Sequence, residues 1–132
     1  MMGFCLATLM APGCKRQEIF PVEGRIEFTD GKPAGELQGG FVVFDSLERK
    51  ASARGVVNAD GSFRLSTEGD DDGAYLGKHR VQIGIPKSIP EGGLKRNVTM
   101  DPKFTRFETS GLEVAVEPKH NNVTLTIERR AR

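Results

Sequence analysis

Tryptophan is absent from this chain, and tyrosine occurs once, at Tyr75. Sheets that bind sugars usually offer flat aromatic platforms, and that mode of recognition has little to draw on here. Cysteine occurs twice, at Cys5 and Cys14, so no disulfide can staple the body of the chain. Charge of one sign is also lacking: 19 basic residues face 18 acidic ones, a formal net of +1. A nucleic-acid binder carries a strong basic excess on one face, so nucleic acid is not an expected partner. No apolar run reaches the ~20 residues that a membrane-crossing helix needs. Only two histidines are present, His79 and His120. A zinc or copper site built from these two needs further ligands that the sequence does not advertise, so no metal site is expected from them, and no cofactor is expected either. No serine carries the glycine-flanked pattern of a nucleophile elbow, so no serine nucleophile is expected.

What is abundant is glycine, 16 of 132 residues, against a typical share of ~7%. The excess falls between apolar runs, as in an all-β chain with many turns. The length suits one domain with its own core.

Residues 1–14, "MMGFCLATLMAPGC", read as an export leader rather than as fold. The run from Phe4 to Ala11 has the length of a secretory h-region and is followed by small residues. Ala11-Pro12-Gly13-Cys14 resembles the lipobox of bacterial lipoproteins, in which the cysteine thiol is acylated and becomes the new N-terminus. The resemblance implies lipidation at Cys14, a membrane held through that anchor, and an envelope location facing the periplasm or the outside. An apolar tail with two free thiols, or a Cys5–Cys14 bridge, are the alternatives. Residues 15–20 then form a short linker, 21–129 the domain, and 130–132 a basic tail.

Period-two alternation runs through the body. In "VEGRIEF" (22–28), Val22, Ile26 and Phe28 share one face, and Glu23, Arg25 and Glu27 the other. "FVVFD" (41–45) is apolar throughout and suits a central strand covered on both sides. "RGVVN" (54–58) and "SFRLST" (62–67) flank Asp60-Gly61. "KHRVQIGI" (78–85) sends Val81, Ile83 and Ile85 inward; "LEVAV" (112–116) and "NVTLTIE" (122–128) repeat the pattern. "DSLERKAS" (45–52) has room for one helical turn but no apolar stripe. About seven strands, each with one dry face, predict an antiparallel β-sandwich. Asp-Gly between two such strands is a hairpin signal, because tight turns need positive φ, which glycine adopts freely. Asp60 is therefore expected to turn the chain rather than to bind metal.

Five segments in order resemble the carboxypeptidase regulatory-like, transthyretin-type domains of bacterial envelope lipoproteins, those of planctomycete-type bacteria most of all. They are "VEGRIEFTDGKPAGE" (22–36), "GVVNADGSFRLST" (55–67), "DDGAYLGKHRVQI" (71–83), "DPKFTRFETSGLEVAV" (101–116) and "NNVTLTI" (121–127). The resemblance implies a transthyretin-like or immunoglobulin-like sandwich acting as a non-catalytic binding or structural module, its partner an envelope protein or polysaccharide. The hydrolase branch of that fold ends in a tyrosine-arginine-glycine-serine motif, whereas this chain ends "ERRAR".

The remaining candidates are few. His79 shares a face with Val81 and Ile83 and suits the core edge; His120, in "EPKHNN", is expected in a turn. Asp70 and Asp72 are weak calcium candidates, although an EF-hand-like loop from Asp70 would need glutamate where Val81 stands. Phe104 and Phe107 lie in a long connection from Pro86 to Gly111, either as core lids or as a contact patch for a partner. The rival functions are a small envelope hydrolase using a histidine and a calcium-stabilised adhesion module.

Overall fold

The computed structural model describes residues 18–86 and 98–131. The leader with Cys14, and the first part of the Pro86–Gly111 connection, lie outside the described residues. The chain is all-β and largely antiparallel. Nine strands occur among the described residues: β1 Ile19–Phe20, β2 Val22–Phe28, β3 Phe41–Ser46, β4 Ser52–Val56, β5 Ser62–Arg64, β6 Ala74–Tyr75, β7 Gly77–Gly84, β8 Leu112–Val116 and β9 Asn121–Ile127. Each of the seven segments expected to be strands overlaps one. The two additional strands, β1 and β6, pair with each other, so part of the expected linker is sheet. The larger sheets run β5-β2-β9 and β4-β3-β7-β8.

One expectation fails on direction. β2 and β9 are parallel, in register from Val22 opposite Asn121 to Phe28 opposite Ile127. Alternation reports which face of a strand is dry and says nothing about which way its neighbour runs, so the sheets are not uniformly antiparallel.

The inward positions of both larger sheets fall into one hydrophobic cluster. Val22, Ile26, Phe28 and Phe63 meet Val42, Phe44, Val81 and Ile83 there. Phe44 and Phe63 join the sheets, ring to ring at 6.2 Å. Each such side chain stabilises the fold by about 1.5–3 kcal/mol through loss of exposed apolar surface. β3 is central, between β4 and β7, but only one of its faces is fully buried. On the other, the Arg54 guanidinium lies 4.1 Å above the Phe41 ring.

Two local expectations are corrected. Residues 47–50 form a bend, not a helical turn: β3 and β4 are paired, and Ser46 Oγ accepts the Glu48 and Arg49 amides at 3.3 and 2.9 Å. Ile85 is 43% exposed, because β7 ends at Gly84 opposite Phe41, the first residue of β3, and no neighbour among the described residues continues the sheet.

Asp60 turns the chain, through a three-residue loop. The Asn58 amide donates to the Ser62 carbonyl at 2.8 Å, and the Gly61 amide to Asn58 at 2.9 Å. Gly61 alone takes positive φ in this loop, +82°, as in a type I turn closed by a glycine bulge. The Asp60 carboxylate accepts the Ser62 hydroxyl and its amide, and both bonds hold its pKa below the ordinary value.

The described part of the long connection is built into the fold. Val98 and Met100 are buried, and Met100 bridges to Arg129. The Glu36 carboxylate clamps this stretch by accepting the Thr99 amide at 2.6 Å, the Thr99 hydroxyl at 2.7 Å and the Met100 amide at 3.1 Å. Asp101 caps a 3-10 turn, Pro102–Thr105, by accepting the Lys103 amide. A single helical turn, α1 Phe107–Ser110, follows and is tied to β7 where Ser110 Oγ donates to the Val81 carbonyl at 2.6 Å. No helix among the described residues is long and apolar enough to cross a membrane.

Candidate functional site

A concave surface with polar chemistry lies where the two larger sheets meet. β4 and β5 belong to different sheets yet are consecutive in the chain, so the Asn58–Ser62 turn carries the chain around a corner. Arg54 and Ser66 exchange both backbone hydrogen bonds at 2.9 Å, holding the arms together beyond the turn. Between these anchors Gly55 allows the backbones to approach: a Cβ there would stand 2.4 Å from the Arg64 carbonyl oxygen.

This corner curves the outer faces of β9, β2, β5 and β4 into one open groove of about 960 Å³. Outward positions supply its side chains: Arg25 from β2, Arg64 from β5, Arg54 from β4, and Asn122 and Thr124 from β9. Val56, 62% exposed, adds an apolar spot at one rim. Glu23 and Asp71 are the acidic members. Glu23 is engaged by Arg64 at 3.7 Å and by His120 at 3.6 Å. Both contacts are partly solvated and contribute at most about 1 kcal/mol each. Neither Arg25 nor Arg54 has a carboxylate in ion-pair contact among the described residues.

The residues singled out in the sequence fall in separate places. His79 is 1% exposed on the inner face of β7. Its Nε2 sits 2.7 Å from the Tyr75 carbonyl, which can only accept, so Nε2 carries the proton. Nδ1 is buried without a hydrogen-bond partner, and the ring packs 5.9 Å from Phe44. His120 is exposed beside Glu23, in the turn before β9. One imidazole faces the core and the other the solvent, so the structure does not assemble them into one centre.

Asp70 is exposed, while Asp72 is occupied. Its Oδ1 accepts the Thr67 amide at 2.7 Å, and its Oδ2 accepts those of Glu68 and Gly69 at 3.0 and 2.9 Å. Burial raises the Asp72 carboxyl's pKa, and the amides outweigh it, leaving a net depression. Among the described residues no three His, Cys, Asp or Glu side chains are grouped closely enough to hold a metal ion. Phe104 is 3% exposed in the core. Phe107 is half-buried, its ring 5.2 Å from the Arg80 guanidinium. Of the two alternatives, Phe104 takes the lid position, and Phe107 sits at the surface against β7.

The groove arginines were not singled out by pattern reading, since each occupies an ordinary outward position of an alternating strand. Gly24 and Gly55, glycines inside strands that line the groove, are the local signs of close backbone approach. No family model matches the chain, and no curated protein and no solved structure matches it closely enough to count as similar.

Proposed function

We propose that this chain is a lipid-anchored, non-catalytic module of the bacterial cell envelope, a β-sandwich of the transthyretin type whose corner groove is its binding face. The observation that carries this reading is the order of parts: an apolar run, the Ala11–Cys14 lipobox-like stretch, and an all-β body whose first strand begins at Ile19. The five segments resembling carboxypeptidase regulatory-like domains support it. So does the packing of the two larger sheets around one core. Acyl chains on Cys14 would contribute roughly 0.8 kcal/mol per buried methylene, enough for stable anchoring when more than one chain is attached. Glu18 stands four positions after Cys14. At about 3.3–3.6 Å per extended residue, the β1 end of the domain lies within ~15 Å of the anchor. The domain therefore works beside its membrane. Metabolic labelling with a fatty-acid analogue should mark the wild type and leave Cys14→Ala unmarked. Equal labelling of the two would defeat the anchor.

A further inference from the structure

We infer that the corner groove binds a carboxylate-bearing glycan, with Arg25 and Arg54 as its principal contacts; the inference rests on the reading of the chain as an envelope binding module. Charge complementarity chooses the ligand's sign. Arg64 and His120 both attend Glu23. Among the described residues Arg25 and Arg54 have no carboxylate in ion-pair contact, although the Asp60 carboxylate lies near enough to feel the Arg25 charge. Asp71 is the remaining acidic lining residue. A guanidinium matches a carboxylate with two parallel hydrogen bonds, so a pair of them at one groove selects for acidic groups. The Arg54 guanidinium is steadied by the Phe41 ring beneath it, which limits the freedom lost when a ligand is bound.

The groove floor distinguishes a glycan from a peptide. Extended peptides are usually captured at an open strand edge, through main-chain hydrogen bonds. Here the floor is the side-chain face of the β2–β9 pair, whose main chains are already paired along seven residues each. The arms above it are joined at Arg54–Ser66 and Asn58–Ser62. What it offers instead are the exposed Asn122 amide and Thr124 hydroxyl, which suit sugar hydroxyls beside the carboxylate-binding arginines, while Asn58 is bonded to Ser62 and Ser62 to Asp60. Recognition would thus run through guanidiniums and polar side chains rather than through stacking rings.

The test titrates the full-length protein with oligogalacturonate at low salt, followed by calorimetry, with neutral dextran as control and polyglutamate as the acidic peptide. Oligogalacturonate should bind, and binding should weaken as salt is raised, as expected for partly exposed charges. Arg25→Gln and Arg54→Gln should each weaken it by about tenfold or more, the scale of a lost charged hydrogen bond. Lys78→Gln, outside the groove lining, should leave it unchanged. Circular dichroism checks that each variant is folded, and Arg25 has no ring among the described residues stacked against it whose loss would complicate the result. A double arginine variant that binds like the wild type, dextran bound as well as the uronate, or tighter binding of polyglutamate would each overturn the inference. Acyl labelling at Cys14 without uronate binding would remove the glycan and leave the anchored module. Uronate binding without labelling would do the reverse.

Discussion

At Asp72 a single carboxylate organises seven residues of chain. Three amides, from Thr67, Glu68 and Gly69, converge on its two oxygens, and the Thr67 hydroxyl closes the same loop by donating to the Gly73 carbonyl at 2.6 Å. Hydrogen bonds to a charged acceptor contribute about 1.5–3 kcal/mol each when buried, less where solvent competes. Asp72 is half-buried, so Asp72→Ala should lower stability at neutral pH by roughly 2–3 kcal/mol, seen as an earlier urea midpoint. The pH dependence has a definite sign. The folded-state pKa is depressed despite burial, so the contribution is complete above the unfolded carboxyl value of about 3.9 and is lost as pH falls through the lower folded value. The gap between wild type and variant should therefore close on acidification. A gap that stayed constant from pH 7 to pH 2 would show that the carboxylate's charge plays no part. Asp60, held low by its Ser62 bonds, shares the sign of this dependence.

Among the elements, the β4–β5 corner carries the most consequence, because it both links the sheets and shapes the groove. Gly55→Ala would drive a methyl group to 2.4 Å from the Arg64 carbonyl, a backbone atom that cannot swing aside. The arms must part or the strands shift, and overpacking of this kind costs about 1–3 kcal/mol. The expected outcome is an earlier urea midpoint with changed NMR shifts at Arg54, Arg64 and Ser66; a variant with wild-type stability and spectrum would refute the tight corner. Elements also differ in how plainly they could be read from the chain. Most of the seven longer strands were legible because burial on one side imposes alternation, as at Phe63 between Ser62 and Arg64, and β3 was legible as an unbroken apolar run. Two-residue strands such as Ile19–Phe20 are too short to alternate, and tertiary pairing alone makes them strands. The Glu36 clamp on Thr99 and Met100 joins residues far apart in the chain, and nothing near Glu36 announces its partners. The groove was illegible for the same reason. Three arginines on three strands become neighbours only once register and corner are set.

For the molecule as a whole, the pairing of β2 with β9 decides when the fold can close. The first long strand finds its parallel partner in the last, so the three-stranded sheet cannot be completed until almost the entire chain is available. Contacts this distant in sequence carry a large loop-closure cost before any reward, which places folding in the slower, millisecond-to-second class of β proteins. The same arrangement concentrates stability at the C-terminal end. β9 contributes the buried Leu125 and Ile127 and covers Val22, Ile26 and Phe28. The Asn121 side-chain amide donates to the Pro21, Glu117 and Lys119 carbonyls at 3.3, 3.1 and 2.8 Å. The Arg129 guanidinium lies 3.8 Å over Phe28. Two lost core side chains alone amount to about 3–6 kcal/mol at the usual rate of burial, before the ladder and the newly exposed face of β2 are counted. Total stabilities of single domains are about 5–15 kcal/mol, so the loss is comparable to the whole. A chain ending at His120 should therefore show no cooperative thermal transition and a circular-dichroism spectrum of largely unfolded chain. If that truncated chain still melted cooperatively with native β content, the two larger sheets would have to be stable without the parallel strand, and β9 would be an addition to the domain rather than its closure.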